Sequence, residues 1–333
     1  MTKKDAFFRL VQMLEHEGIR YALVGNTDEY PDHIGSDVDI VTYENGLAKF
    51  HHSAWSLEDA GLRVIQRFQH EITAFYYILA FRSPENRWDF IQPDICTDYY
   101  RRARKLLDAA PMLERRRRKA CLGCPGGGFF VLAPQDEFVY YLLKKIGKAS
   151  LSAEQFHHLH GTFSEDPEGC SERLASLGPA ATRALAAVEA NDCERLSASL
   201  PELKRGLLSS GYIGRPRRFR DAYRKLRRIL HPTGFVAVLS GPDADKTAKS
   251  LHEELAGAFR RQADLSVRSH GLFRNLLKAK IASTLVVLDA MPPWPARWLV
   301  DAVFVTPTNP ASSIVACLSA RARKRVSALR TSK

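Results

Sequence analysis

Two aspartates separated by one residue give this chain its clearest chemical signal, in the segment Gly35-Ser36-Asp37-Val38-Asp39-Ile40. The apolar residues at 38 and 40 predict a strand, on which side chains at i and i+2 point to the same face. Adjacent carboxylates raise each other's pKa, and a divalent cation removes that penalty. Asp37 and Asp39 therefore predict a metal–nucleotide site. Gly-Ser-Asp is also ordinary turn chemistry, so solvated carboxylates in a turn are the alternative.

A third acid follows about fifty residues later in Arg87-Trp88-Asp89-Phe90-Ile91, where the apolar neighbours again predict a strand. The chain resembles the nucleotidyltransferase superfamily, with its DNA polymerase β-like fold, in three successive features. These are an apolar strand ending in Val24-Gly25-Asn26, the pattern Asp-apolar-Asp-apolar, and a carboxylate on a later strand. The resemblance implies that Asp37 and Asp39 hold two Mg²⁺ ions on a nucleoside triphosphate. It also implies that Asp89 joins one of these ions and helps to deprotonate the attacking hydroxyl.

The same resemblance assigns phosphate contacts to three further residues. Gly25, Asn26 and Ser36 are expected to approach the nucleotide phosphates. Asn26 departs from the family pattern, which has Gly or Ser at that position, but its amide can still donate a hydrogen bond.

Length and composition predict a soluble cytoplasmic enzyme with more than one domain. The chain has 333 residues, 45% of them apolar, and a mean hydropathy of -0.25. No run approaches the ~20 apolar residues of a membrane-spanning helix, and the first residues do not resemble a signal peptide. Six irregularly spaced cysteines do not predict a disulfide framework. Cys121-Leu122-Gly123-Cys124 has zinc-ligand spacing, but the following Pro125-Gly126-Gly127-Gly128 favours a hairpin turn over a zinc site shared with His157, His158 or His160.

A helical block is predicted after the first domain. Pro134 followed by Asp136 and Glu137 is typical of a helix start, and helical patterns continue through residues 151–160, 179–188 and 193–208. Similar blocks close the nucleotide cleft in nucleotidyltransferases, so the resemblance places Lys144 and Lys145 (or Lys148) at the triphosphate, with exposed lysines at a helix end as the alternative.

The last hundred residues begin with an apolar strand, Gly241-Pro242-Asp243, and then Lys246-Thr247 opening a helix. This layout resembles a thymidylate kinase-like P-loop. One residue is missing, and Asp245 stands where the second glycine is expected, so Gly241, Lys246 and Thr247 are interpreted as a degenerate P-loop in a domain inactive as a kinase. Leu285–Asp289 reads as a buried strand ending in an acid, and residues 310–325 as a closing helix.

The predicted fold class is α/β: an N-terminal mixed β-sheet nucleotidyltransferase domain with a helical extension, plus a small C-terminal parallel α/β P-loop-like domain. The predicted boundaries are 1–133 for the catalytic domain, 134–210 for the helical domain, 211–232 for a basic linker helix and 233–333 for the P-loop-like domain.

The net charge of +12 is concentrated in clusters at 115–119, 215–228 and 321–325. Such patches attract nucleic acid, polyphosphate or anionic membrane, and a solvated interdomain helix is the alternative for the middle cluster.

The predicted function is that of a Mg²⁺-dependent enzyme that transfers a nucleoside monophosphate from a triphosphate to an unidentified hydroxyl or phosphate acceptor. Known fusions of this layout imply a bacterial role in surface polysaccharide synthesis. The alternatives are an inactive nucleotide-sensing or scaffold protein and a basic module binding nucleic acid such as tRNA ends.

Overall fold

A computed structural model describes residues 1–35, 37–101, 103–175, 177–209, 217–306 and 310–330. Ser36 and residues 211–216 of the predicted basic linker lie outside the described residues.

The N-terminal part is built on a mixed sheet, which has eight strands among the described residues in the order β3-β4-β6-β2-β1-β10-β9, with β5 pairing only with β4. Its strands are β1 (Tyr21–Leu23), β2 (Val38–Thr42), β3 (Arg63–Gln69), β4 (Ala74–Arg82), β5 (Trp88–Ile91), β6 (Pro93–Cys96), β9 (Arg117–Ala120) and β10 (Gly128–Val131). A separate hairpin consists of β7 (Tyr99–Arg101) and β8 (Arg104–Leu107), and the short helix α3 (Ala109–Glu114) follows it.

One face of this sheet is covered by α1 (Lys3–His16) and α2 (Glu44–Ser53). Thr2 and Asp5 form a reciprocal capping box that satisfies two orphan amides at the start of α1. The helix then buries Phe7, Leu10 and Leu14 at helical spacing against the sheet. Val38 and Ile40 of β2 join this core with no exposed surface. The aspartate between them must therefore point to the opposite face.

The opposite face carries the predicted helical block. It comprises α4 (Pro134–Lys148), α5 (Ala153–Glu165), α6 (Pro167–Ala175), α7 (Pro179–Glu189) and α8 (Cys193–Ser209). Sheet residues Ala22, Val24 and Val41 share a core with these helices. Pro134 begins α4, as the sequence predicts, and α4 lies over the aspartate-bearing face of β2.

The C-terminal part is a four-stranded parallel sheet within the described residues, in the order β12-β13-β11-β14. Its elements are β11 (Phe235–Ser240), α10 (Ala244–Glu254), β12 (Arg261–Leu265), α11 (Leu272–Ile281), β13 (Thr284–Leu288), β14 (Ala302–Val305) and α12 (Ala311–Arg330). The expectation of a mixed N-terminal sheet and a parallel C-terminal sheet is thus confirmed.

The two sheets share a hydrophobic core. Ile65 and Ile78 of the N-terminal sheet pack in one cluster with Phe235 of β11 and Ile314 of α12. The helix α9 (Arg218–Leu230) runs along β3 and buries none of its residues. The predicted domain boundaries stay predictions.

Candidate active site

Asp39 is the second residue of β2, with its side chain on the α4 side of the sheet and 17% exposed. Gly25 follows β1 with φ +92, and a Cβ atom there would lie 3.7 Å from Asp39 Oδ2. Glycine is favoured at this position because its φ lies in the left-handed region. The turn after β1 therefore passes directly beside the Asp39 carboxylate.

Asp94 lies directly opposite Asp39 in the parallel register of β2 and β6. Burial, followed by the negative charge of Asp39, raises the pKa of Asp94 well above its ordinary value. Burial also raises the pKa of Asp39, where the charge of Asp37 adds to the effect and that of Lys144 opposes it. Asp37 precedes the first residue of β2 and is exposed. These three carboxylates form one electrostatic group.

The expectation that Asp89 is the third carboxylate does not match this geometry. Asp89 lies on β5 opposite Phe81 of β4, and its carboxylate accepts from the Phe90 amide and approaches Lys3 Nζ at 3.9 Å. Five residues of extended chain separate it from Asp94, or roughly 16 Å. Both acids have apolar neighbours, so only the pairing of β6 with β2 identifies Asp94. Asp94 is absent from the residues predicted above, although Pro93-Asp94-Ile95-Cys96 has a similar local pattern.

Lys144 of α4 donates a hydrogen bond to Asp39 Oδ2. Burial lowers the pKa of Lys144, but the charge of Asp39 and this hydrogen bond outweigh burial and raise it overall. Lys145, one residue further, points elsewhere: its ammonium lies 4.4 Å from the centre of the Tyr141 ring. Burial and the neighbouring Lys148 and Lys144 lower the pKa of Lys145 to about 8. The structure thus brings Lys144, and not Lys145, to the carboxylates.

A second acid of α4, Glu137, holds the turn after β1. Its carboxylate accepts from the Gly25 amide at 2.9 and 3.1 Å and lies 3.5 Å from His158 Nε2. The other nitrogen of His158 lies 3.5 Å from Asp28 Oδ2. Asn26 Oδ1 accepts from the Asp28 amide within the same turn. Gly25 and Asn26, two of the three residues predicted to approach the phosphates from the strand ends, therefore have intramolecular partners. The contacts of His158 with Glu137 and Asp28 hold the turn in place.

His70, at the end of β3, approaches the candidate site from the other side. Its Nε2 lies 3.3 Å from Asp94 Oδ2. Burial, followed by the positive charges of Arg260, Arg224 and other arginines, lowers the pKa of His70 to about 4. A neutral imidazole beside a carboxyl group of raised pKa can share or accept its proton. No sequence pattern in this segment pointed to His70.

The chemistry of the donor set fits one divalent cation. Carboxylate oxygens are the ligands that Mg²⁺ prefers, and one or two of them with substrate phosphates are enough. Asp39 and Asp94 supply two. Burial, with the charge of neighbouring carboxylates added to it, raises the pKa of both, and a cation relieves this cost. Among the described residues, no group of three His, Cys, Asp or Glu side chains converges on a metal position. A second ion therefore stays a prediction.

The other predicted sites lie on other elements of the fold. Gly241 has φ +113 at the end of β11, and Lys246 is exposed on α10, one residue before Thr247. Cys121 and Cys124 flank the turn between β9 and β10, which pair as the predicted antiparallel hairpin.

No protein-family model matches the sequence, and no curated protein matches it. Two solved structures are similar in part. An antigenic nucleotidyltransferase-like protein from Paracoccidioides brasiliensis has a TM-score of 0.37 and 14% identity, over 60% of this chain and 92% of that one. A putative nucleotidyltransferase from Thermotoga maritima has a TM-score of 0.30 and 18% identity, over 48% of this chain and 91% of that one. Similarity at these levels does not establish a shared function, so the function of this chain must follow from its own side chains.

Proposed function

We propose that this chain is a Mg²⁺-dependent nucleotidyltransferase, which transfers a nucleoside monophosphate from a triphosphate to a hydroxyl or phosphate acceptor. The observation that carries the proposal is the pair Asp39 and Asp94, opposite each other on adjacent strands, with Lys144 on Asp39. Two crowded carboxylates and a lysine are suited to a cation and a triphosphate.

The acidic residues and Lys144 have different proposed roles. Asp39 and Asp94 would hold the cation, and a contribution from Asp37, which precedes β2, stays a prediction. When bound, Mg²⁺ supplies positive charge that neutralises the triphosphate and the departing pyrophosphate. Lys144, which donates to Asp39 in this structure, would donate to a phosphate oxygen of the bound triphosphate.

Asp94 is the proposed base. It lies directly opposite Asp39 at the candidate cation site, and His70 Nε2 lies 3.3 Å from one of its oxygens. The acceptor oxygen gives its proton to Asp94 and bonds to the α-phosphorus, while the bond from that phosphorus to the bridging oxygen of pyrophosphate breaks. A role in surface polysaccharide synthesis stays a prediction from the resemblance.

The test is incubation of the purified chain with each of the four ribonucleoside triphosphates, Mg²⁺ and a panel of hydroxyl and phosphate acceptors. We expect pyrophosphate release with at least one triphosphate, and loss of release in Asp39→Asn. If the wild-type chain binds a triphosphate by calorimetry and releases no pyrophosphate with any acceptor, the enzymatic proposal is wrong.

That outcome would support a second candidate, a nucleotide-sensing protein without turnover. The observation in its favour is the Gly25 amide, which donates to Glu137 and so is not available to a phosphate in this conformation. Glu137→Gln separates the two functions. Weakening the Glu137–Gly25 contact should tighten binding in a sensor and should not create pyrophosphate release.

A further inference from the structure

The helix α9 is amphipathic, and its apolar side is exposed. Phe219, Tyr223, Leu226 and Leu230 recur at helical spacing, with Ile229 beside them. Their exposed fractions are 92, 63, 51, 64 and 53%, respectively. We call this row of five residues the α9 stripe. A soluble helix normally turns such a stripe towards the core, so this one needs a partner.

The helix is attached to the protein by its charged side chains instead. Arg224 pairs with Asp221 and donates to the carbonyl oxygen of His70, and Arg228 donates to the carbonyl oxygen of Ile281 at 3.0 Å. These contacts fix the rotation of α9 about its axis. They leave the stripe exposed to solvent, together with the basic residues Arg218, Arg220 and Lys225. Three residues of the stripe, Tyr223, Leu226 and Leu230, also line a cavity beside β3.

A cavity of about 260 Å³ lies between α9 and β3. Four arginines line it, Arg67, Arg224, Arg227 and Arg228, and no carboxylate does so among the described residues. Within that part of the chain, Arg67 and Arg227 form no ion pair. Their guanidinium groups lie over Phe75 and Tyr223, at 5.2 and 5.9 Å from the ring centres. Such a cavity is suited to an anion.

We propose that α9 docks on an anionic phospholipid surface, with the α9 stripe in the acyl boundary and a lipid phosphate in the arginine-lined cavity. An apolar row flanked by arginine and lysine is the pattern of interfacial helices. A nucleic acid would satisfy the arginines and leave the stripe in water. A second copy of the chain would cover the stripe and bring like charges together. A partner protein whose groove encloses a helix must contact most of the helix surface, and α9 is attached to the chain along one side. A flat membrane surface needs to contact only the exposed stripe.

The test is flotation of the full chain with vesicles of phosphatidylglycerol and phosphatidylcholine, compared with vesicles of phosphatidylcholine alone. We expect binding to the anionic vesicles only, weakened by salt. Leu226→Gln/Ile229→Gln should reduce the partition coefficient at least tenfold, and Arg67→Gln/Arg227→Gln should reduce it roughly fivefold per charge. Because all four side chains are at least partly exposed, circular dichroism should show an unchanged fold.

Two controls match these changes. Leu122→Gln alters a leucine that is 97% exposed in the β9–β10 turn, and Arg261→Gln/Arg268→Gln removes two exposed charges from the C-terminal part. Neither should change vesicle binding. Equal flotation with neutral and anionic vesicles, or no effect of either α9 variant pair, overturns the proposal. Two further results would overturn the proposal if the wild-type chain does not float with vesicles. One is a dimer that Leu226→Gln/Ile229→Gln abolishes, and the other is an oligonucleotide complex that Arg67→Gln/Arg227→Gln abolishes.

Discussion

Asp39 of β2 and Asp94 of β6 are direct neighbours across a parallel strand pair, and Lys144 of the overlying helix α4 donates a hydrogen bond to the first of them. Two carboxylates in adjacent register destabilise each other when both are charged. The ammonium group of Lys144 compensates part of that negative charge. Burial, followed by the charge of Asp39, raises the pKa of Asp94. This arrangement is the basis of the first two predictions.

Replacing Asp94 should impair turnover, and replacing Asp89 should not. Asp94→Asn removes the proposed base, so we expect kcat for pyrophosphate release to fall by roughly 10²–10⁴-fold. Asp89→Asn is the matched control, because Asp89 lies on the neighbouring strand and contacts Lys3 rather than Asp39. Steady-state kinetics on the two variants decides between them. A large fall in kcat in Asp89→Asn, with an unchanged kcat in Asp94→Asn, would show that Asp89 and not Asp94 is the third carboxylate of the site.

The Lys144–Asp39 pair should show strong coupling in a double-mutant cycle. Lys144→Met leaves a largely buried carboxylate without its partner, which should lower the free energy of unfolding by about 1–3 kcal/mol, since some solvent reaches both side chains. Asp39→Asn should recover part of that loss in the Lys144→Met background. Urea denaturation of the four proteins measures this coupling. Additive effects of the two substitutions would show that the pair contributes nothing to stability.

The contact between His158 and Glu137 should make stability depend on pH. Burial lowers the pKa of His158, but the hydrogen bond and charge of Glu137 and the charge of Asp28 outweigh burial and raise it. A histidine with a raised folded-state pKa stabilises the fold fully below its unfolded pKa of about 6.5, and this stabilisation is lost as the pH rises through the folded-state value.

The free energy of unfolding lost in His158→Gln should therefore be larger at pH 5.5 than at pH 8.5, conditions on either side of the ordinary histidine pKa of about 6.5. The exposed neighbour His157 provides the control. His157→Gln should give a difference that is small at every pH. A loss in His158→Gln that does not vary with pH would mean that His158 contributes by packing on Tyr141 alone.

The degenerate P-loop should be dispensable for nucleotidyl transfer. Lys246 is exposed on α10, and Asp245 beside it opposes phosphate binding. Lys246→Ala should thus leave pyrophosphate release unchanged, in an assay where Asp39→Asn abolishes it. If Lys246→Ala stopped triphosphate consumption and Asp39→Asn did not, the reaction centre would lie in the C-terminal part.

Local pattern was enough to predict several elements. The alternation around Asp39 predicted β2 and the face of its side chain, because burying Val38 and Ile40 leaves only one orientation for the residue between them. Pro134 with its acids predicted the start of α4, and the glycine-rich turn predicted the β9–β10 hairpin. Each of these depends on interactions between residues close in the chain.

Tertiary structure alone decided which distant residues meet Asp39. Asp89 and Asp94 have similar neighbours in sequence. The strand that is hydrogen-bonded to β2 is β6, whereas β5 pairs with β4, and this pairing places Asp94 beside Asp39. Lys144 and Lys145 are adjacent, but successive residues on a helix point about 100° apart, so the packing of α4 on the sheet brings only Lys144 to the carboxylate. The exposure of the α9 stripe was likewise beyond local pattern. Periodicity predicts an apolar row on this helix, and only the contacts of Arg224 and Arg228 with the rest of the chain decide that the row stays exposed rather than buried in the core.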